Sequence, residues 1–257
     1  MMNISLEGKT ALVTGGARGI GLATVRALAE SGARVAAASR SGSDALRELA
    51  SAYPVVHLPV NAASEAGAEQ AVAGTVDRFG RLDILVNNIG AIDAKAGAGF
   101  PALTDGDWRE MLEVNLMSVV RVTRAALPHL GKHGGSVVNV STMNAIMPNP
   151  YLIAYSAAKA AVTNLTKNLA EAYAAQGIRF NTVAPGPTAT DMWAGRLPEP
   201  ATEEAMRQFA LERGISLGRF AEPREVANLI VFLASDHAAM ITGSDYIIDG
   251  GLVKTIH

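Results

Sequence analysis

The feature that most restricts this chain is a regular alternation. Short apolar runs rich in β-formers are each followed by a longer stretch with helical spacing, from one end to the other. Thr10-Ala11-Leu12-Val13-Thr14 reads as a strand, and the helical pattern after it covers Gly19 to Glu30. Val35 to Ala38, Val55 to Val60, Leu82 to Asn87, Ser136 to Ser141, Ile178 to Val183 and Asp245 to Ile248 read as further strands. Trp108 to Leu127, Tyr155 to Gln176 and Pro223 to Ala234 carry helical patterns between them. Gly32 and Gly177 stand where helices are expected to end, each just before a new strand. Strands that are apolar throughout are buried on both faces. With helices in the connections, the economical arrangement is a parallel sheet wound on both sides through right-handed crossovers.

A length of 257 residues, with 49% hydrophobic and 18% charged, suits one packed α/β domain spanning residues 1–257. No repeat, low-complexity tract or linker interrupts it. The longest stretch without a strand runs from Pro185 to about Glu222. Its Gly195-Arg196-Leu197-Pro198-Glu199-Pro200 punctuation, followed by a helical run with Met206, Phe209 and Leu211, predicts a substrate lid at residues 187–215.

The net charge of -2 draws the protein to neither nucleic acid nor anionic lipid, and no basic patch is interleaved with aromatics. Without a single cysteine there is no disulfide, thiolate metal site or cysteine nucleophile. Met1 to Glu7 lacks a basic stretch followed by an apolar run, and no apolar segment approaches the roughly 18–20 residues that cross a bilayer. A cytoplasmic protein with no membrane partner is expected. His129 and His133 have the spacing of a helical metal pair. Pro128, Gly131 and Gly134 are expected to break that helix, and no acid is close by, so no metal site is expected. Arg121 and Arg124 could greet an acidic carrier; a solvated helix face is the expectation.

Thr14-Gly15-Gly16-Ala17-Arg18-Gly19-Ile20-Gly21 joins the first strand to the first helix. Glycines let backbone approach a pyrophosphate, and the helix amino terminus offers free N–H groups and partial positive charge. The end of the second strand chooses between dinucleotides. A site for NAD usually places a carboxylate there, about 20 residues past the glycines, to accept the ribose hydroxyls. This chain has Ser39-Arg40 instead, and Arg18 can add a second cation, which suits the 2′-phosphate of NADP(H).

Tyr155-Ser156-Ala157-Ala158-Lys159 opens a long helix, and its i, i+4 spacing puts phenol and ammonium on one face. A free phenol has a pKa of about 10, too high for efficient acid–base work at neutral pH. A fixed cation nearby favours the phenolate and lowers that value.

Thr14-Gly15-x-x-x-Gly19-x-Gly21, Asn87-Asn88-Ile89-Gly90, Asn115, Ser141-Thr142, Tyr155-x-x-x-Lys159, Pro185-Gly186-Pro187-Thr188-Ala189-Thr190 and Asp249-Gly250-Gly251 occur in one order. In these motifs, over essentially its whole length, the chain resembles the short-chain dehydrogenase/reductase family. The resemblance implies a single-domain, Rossmann-type doubly wound parallel sheet of about seven strands with helices on both faces. It also implies roles. Tyr155 would donate a proton to a carbonyl oxygen while the nicotinamide delivers hydride. Lys159 would hold the nicotinamide ribose and depress the tyrosine pKa, and Asn115 would anchor a relay water. Thr188 and Thr190, after Pro185 and Gly186, would bind the carboxamide. Gly15, Arg18, Gly19, Ile20 and Gly21 would hold the pyrophosphate side, with Asn61, Ala62, Asn88 and Gly90 lining the adenosine and ribose.

Two positions depart from the family pattern. Ile89 replaces the usual alanine, adding bulk near the cofactor. Thr142 occupies the place of the family serine; it keeps the hydroxyl, with a methyl group that restricts rotamers. Ser141 is adjacent, but neighbouring side chains on a strand point to opposite faces, so Thr142 is the expected substrate contact.

A substrate pocket is expected at the carboxyl ends of the strands. Met143, Asn144, Ile146, Met147, Tyr151 and Ile153 should line it, with Met192 and Trp193 entering the lid. Most are apolar, so the expected activity is that of an NADPH-dependent carbonyl reductase or alcohol dehydrogenase acting on a largely apolar ketone or secondary alcohol. A 3-oxoacyl carrier-protein reductase is the nearest alternative, then a sugar or polyol dehydrogenase. A non-catalytic NADP-binding sensor would be expected to lack the tyrosine or the lysine, and both are present. The resemblance further suggests a homotetramer.

Overall fold

The computed structural model describes residues 4–93, 95–130, 134–193 and 197–255. Its strands are β1 (Thr10–Thr14), β2 (Arg34–Ser39), β3 (Val55–Pro59), β4 (Ile84–Asn87), β5 (Gly135–Val140), β6 (Ile178–Pro185) and β7 (Asp245–Ile248). Its α-helices are α1 (Gly19–Glu30), α2 (Asp44–Ala52), α3 (Glu65–Phe79), α4 (Asp105–Leu112), α5 (Ser118–Leu130), α6 (Ile153–Tyr173), α7 (Glu203–Glu212) and α8 (Pro223–Ala234). The seven strands form one sheet in the order β3-β2-β1-β4-β5-β6-β7, every pairing parallel. The chain winds outward from β1 to β3, then returns to the other side of β1 with β4. That reversal opens a crevice at the carboxyl ends of β1 and β4.

The strands form because their side chains are apolar on both faces, and each face is covered. Leu28 of α1 with Val226 and Ile230 of α8 closes one side. Val72 of α3, Val122 and Ala126 of α5 and Ala170 of α6 close the other. Local chemistry sets the helix starts. Ser43, Ser64 and Thr202 accept from the backbone N–H groups of Leu46, Gly67 and Ala205. Thr104 with Asp107, and Glu222 with Glu225, close capping boxes on α4 and α8.

The helix read from Trp108 to Leu127 is two helices, α4 and α5, joined by a π turn at Glu113–Met117. Pro128 does not end α5, which continues to Leu130. A proline removes one intrahelical bond; here Ala126 and Leu130 on either side of it are buried against the sheet, and that packing holds the last turn. Gly131, Lys132 and His133 lie outside the described residues, and with them half of the histidine pair.

At the amino-terminal ends of the strands, opposite the crevice, the buried Asp83 joins β4 to β1. One carboxylate oxygen accepts from Thr10 N–H at 2.8 Å and from Arg81 Nε at 2.8 Å, and the other from Arg81 Nη2 at 2.5 Å. Replacing Asp83 by Ala leaves a buried N–H and a guanidinium without partners. We expect Asp83→Ala to lower the unfolding free energy by about 3 kcal/mol in urea titrations. Cofactor binding per folded molecule should stay intact, because the substitution lies across the sheet from the crevice.

Candidate active site

The β1–α1 turn is built for close approach. Gly15 and Gly19 have φ of +68° and +53°. A Cβ on Gly16 would sit 2.9 Å from the Ala37 side chain, and one on Gly21 2.2 Å from the Gly15 carbonyl oxygen. Arg18 precedes α1 and offers no side-chain cap, so the first N–H groups of this twelve-residue helix have no side-chain acceptor. Uncapped donors behind a turn that admits no Cβ fit a dinucleotide pyrophosphate.

Thr14, at the end of β1, ties this turn to the end of β4. Its hydroxyl accepts from the N–H groups of Asn88 and Ile89 at 3.0 and 3.3 Å, and Asn88 Nδ2 donates back to the carbonyls of Thr14 and Gly15. Thr190 faces the turn from the far side, its Cγ2 3.4 Å from where a Cβ on Gly19 would be. Thr188 is buried, donates to the Gly186 carbonyl at 3.0 Å and bridges to Ala221. Pro185 and Gly186 pair with Ile248 at the end of β7. Ser39 and Arg40 end β2, Arg40 and Arg18 are exposed, and Asn61 and Ala62 follow β3. The cofactor candidates from five loops thus lie along one rim.

The second cluster sits deeper. The Thr142 hydroxyl is the polar neighbour that acts on the Tyr155 phenol, favouring its ionised form. The Thr142 oxygen also accepts from Asn144 N–H at 3.3 Å, so its proton is free to point at the phenol. Ser141 faces elsewhere: its hydroxyl donates to the Lys159 carbonyl at 3.1 Å and lies 3.0 Å from Thr163 Oγ1. Lys159 is buried and donates to the Val140 carbonyl at 2.8 Å. No other partner for its three protons is found among the described residues. A Cβ on Gly90 would lie 3.3 Å from the ammonium, so this glycine leaves it open toward the crevice.

Burial governs the charges here. Desolvation raises the Tyr155 phenol above its ordinary value, and the Thr142 hydrogen bond only partly opposes it. Desolvation lowers Lys159 to about 8. Lys159 therefore keeps its proton at pH 7, while the phenol stays neutral. The expected depression of the phenol by the neighbouring ammonium does not prevail in the protein alone.

Asn115 lies fully buried in the π turn. Both its amide protons are committed, to the Ala91 carbonyl at 2.9 Å and the Met111 carbonyl at 3.1 Å, and its oxygen accepts from Ala91 N–H at 3.1 Å. Its side chain therefore fixes the segment after β4 and has no proton left for a water.

Among the pocket candidates, Met143, Met147 and Trp193 pack with Leu197 and Phe209 on a small core of Ala210, Ile215, Phe220 and Leu252. Trp193 meets Phe220 edge-on at 4.7 Å. Asn144 is buried and accepts from Asn149. Tyr151 stands apart, 69% exposed and packed on Gly97 at the rim. The Met192 side chain and residues 194–196 lie outside what is described.

One group gave no signal in the sequence, and another departs from what its spacing predicts. Asp93, a buried carboxylate, faces the backbone N–H of Tyr155 near the start of α6, a helix with no side-chain cap of its own. Burial raises its pKa, and that N–H opposes the rise. Arg121 does not lie on a solvated face. Its side chain is 18% exposed, paired with Glu113 and donating to the Ala63 carbonyl at 2.7 Å. It was bonded away from solvent by a loop distant in sequence, which helix spacing could not show. No group of three metal-ligating side chains occurs among the described residues, and no helix among them is long and apolar enough to cross a membrane.

Residues 15–253 match the family model described as Enoyl-(Acyl carrier protein) reductase. The chain is 40% identical over 253 residues to 3-oxoacyl-(acyl-carrier-protein) reductase of Thermotoga maritima, with 96% of this chain and 99% of that protein covered. It is 39% identical over 250 residues to cis-4-hydroxycyclohexanecarboxylate dehydrogenase of Sinomonas cyclohexanicum, covering 95% and 96%. Among solved structures, the NADPH-bound short-chain oxidoreductase of Pseudomonas aeruginosa PAO1, containing an atypical catalytic center, superposes with a TM-score of 0.90 at 33% identity, over 98% of this chain and 100% of that one.

The glycine turn yields a direct test. Gly21→Ala would drive a methyl group into the Gly15 carbonyl. We expect loss of nicotinamide-nucleotide binding in fluorescence titrations, while circular dichroism retains the α/β signature.

Proposed function

The chain belongs to the short-chain dehydrogenase/reductase family of oxidoreductases acting on CH–OH and C=O groups, and on that premise we propose that it is an NADP(H)-dependent carbonyl reductase, in reverse an alcohol dehydrogenase, for a largely apolar ketone or secondary alcohol. The observation that carries the chemistry is the Thr142–Tyr155 hydroxyl pair, one helical turn from an ammonium with protons to spare. The choice of NADP(H) is supported by Ser39-Arg40 at the end of β2, with Arg18 in the glycine turn and no carboxylate in the position that would select NAD. The apolar substrate is supported by Met143, Met147 and Trp193.

When bound, the nicotinamide supplies the hydride to the carbonyl carbon or takes it from the alcohol. The Thr142 hydroxyl orients the substrate oxygen next to the Tyr155 phenol. Because burial keeps that phenol protonated at neutral pH, it can give its proton to the oxygen as negative charge develops there. Lys159 would hold the nicotinamide ribose hydroxyls with its unpartnered protons, one helical turn along α6 from the phenol. Since both Asn115 amide protons go to Ala91 and Met111, a relay water would have to donate, either to the remaining lone pair of the Asn115 side-chain oxygen or to a main-chain carbonyl. Trp193, Leu197 and Phe209, which share an apolar cluster with Met143 and Met147, would belong to a lid at residues 187–215 that excludes water.

A second reading, reduction of a 3-oxoacyl thioester, is favoured by the 40% identity to the Thermotoga maritima enzyme. A panel of ketones, acetoacetyl thioesters and polyols, each assayed with NADPH and NADH, separates the readings. We expect the highest kcat/KM for an apolar ketone with NADPH; a preference for NADH would remove the cofactor proposal.

Tyr155→Phe should lower turnover by at least about 10³-fold, with NADPH binding nearly unchanged in titrations. Thr142→Ala removes the one hydrogen bond that lowers the phenol pKa. Alcohol oxidation needs the phenolate, so the acid limb of its pH–kcat/KM profile should move to higher pH. Thr142→Ser should leave that limb in place, and Ser141→Ala should not move it.

A further inference from the structure

His57 stands in the middle of β3, an odd place for an imidazole in an apolar run. Val56, Leu58 and Val60 pack on the α3 and α5 side of the sheet, and the pleat turns His57 to the other face. Parallel pairing sets it opposite Ala37, two residues before the end of β2. There His57 Nε2 lies 3.0 Å from the Ser39 hydroxyl and 3.2 Å from the Ser39 carbonyl oxygen.

The carbonyl oxygen can only accept, so Nε2 carries the proton. The Ser39 hydroxyl then receives a hydrogen bond from the imidazole, and its own proton is left to give. In the structure that proton goes to the Ser41 carbonyl, 3.0 Å away. Gly42 leaves room for the ring: a Cβ there would come within 3.3 Å of His57 Nδ1 and 3.4 Å of Cε1. Ser43 closes the same turn against the glycine loop, donating to the Ala17 carbonyl at 2.8 Å while capping α2. The segment from Ser39 to Ser43 is therefore held at one end by His57 and at the other by the residue before Arg18.

A phosphate monoester offers acceptors alone, so every protein group facing it must be a donor. We propose that His57 is a specificity-determining residue of the cofactor site: it fixes Ser39 as a hydrogen-bond donor to the 2′-phosphate, beside Arg18 and Arg40. This rests on the NADP(H) reading given above. On binding, a phosphate oxygen replaces the Ser41 carbonyl as acceptor, and the imidazole keeps the hydroxyl from turning its lone pairs outward. A ribose 2′-hydroxyl can donate as well as accept and does not need this arrangement, so NADH gains nothing from it.

Equilibrium titrations of the wild type, His57→Phe and His57→Gln with NADPH, NADH, 2′,5′-ADP and 5′-ADP test the assignment. The wild type should bind 2′,5′-ADP more tightly than 5′-ADP. His57→Phe keeps a flat ring without a donor and should weaken NADPH and 2′,5′-ADP by about tenfold, leaving NADH and 5′-ADP where they were. His57→Gln, whose amide can donate to Ser39, should restore most of the loss. If the wild type does not distinguish 2′,5′-ADP from 5′-ADP, the NADP(H) reading falls and takes this inference with it. If it does distinguish them, but His57→Phe weakens neither ligand or weakens NADH and NADPH alike, the role of His57 alone is overturned.

Discussion

One buried threonine holds the two halves of the sheet where they part. At the reversal of strand order, β1 and β4 end side by side, and their following loops must diverge to opposite flanks. Thr14 binds across that gap, its hydroxyl receiving the first two N–H groups beyond β4 while Asn88 returns a hydrogen bond to its carbonyl. Without this lock, the glycine turn and the Asn88–Gly90 segment would be two independent loops. With it, they are two walls of one crevice at fixed separation. Thr190 stands opposite Gly19 on one wall, and the Lys159 ammonium lies against Gly90 on the other.

The strands and most helices were legible because their signals are local. An unbroken apolar run between helical patterns has few other uses than an inner strand of a parallel sheet. The elements that were missed answer to distant partners. The π turn exists where Asn115 turns inward to bond Ala91, a residue brought there by β4, and local spacing across Trp108 to Leu127 carries no trace of that. Arg121 reads as one more basic residue on a helix until the Ala63 carbonyl, far back in the chain, comes to meet it. His57 did leave a signal, an ionisable ring in a run of β-branched and apolar neighbours, but its meaning depends on the β2–β3 register.

Among the site residues, what was readable was chemical type and what was not was orientation. Spacing put the phenol and ammonium of α6 on one face, and pleat alternation separated Ser141 from Thr142. The two hydroxyls serve different neighbours: one supports α6 through the Lys159 carbonyl, and the other acts on the ionisation of the phenol. Spacing could not rank the competing electrostatic effects on that phenol. A cation one turn away favours the phenolate, and burial favours the phenol; in the protein alone burial wins. The same burial brings Lys159 down to about 8, so both groups are displaced toward their neutral forms.

That outcome bears on how such a site divides its labour. On the reaction proposed for this site, a desolvated phenol left protonated is already in the state that gives up a proton, so reduction needs no prior ionisation. Oxidation needs the phenolate, which the Thr142 hydroxyl favours and burial resists. The polar groups that decide this balance all sit on strand ends and on α6, elements whose positions the sheet fixes. The apolar surroundings come from elsewhere: Trp193, Leu197, Phe209 and Phe220 belong to the strandless stretch after β6 and share one apolar cluster with Met143 and Met147. A change of side chain in that stretch can therefore alter the shape presented to a substrate without shifting Thr142, Tyr155 or Lys159. On the reading proposed above, the chemistry is set by the sheet and the selectivity by what is laid over it.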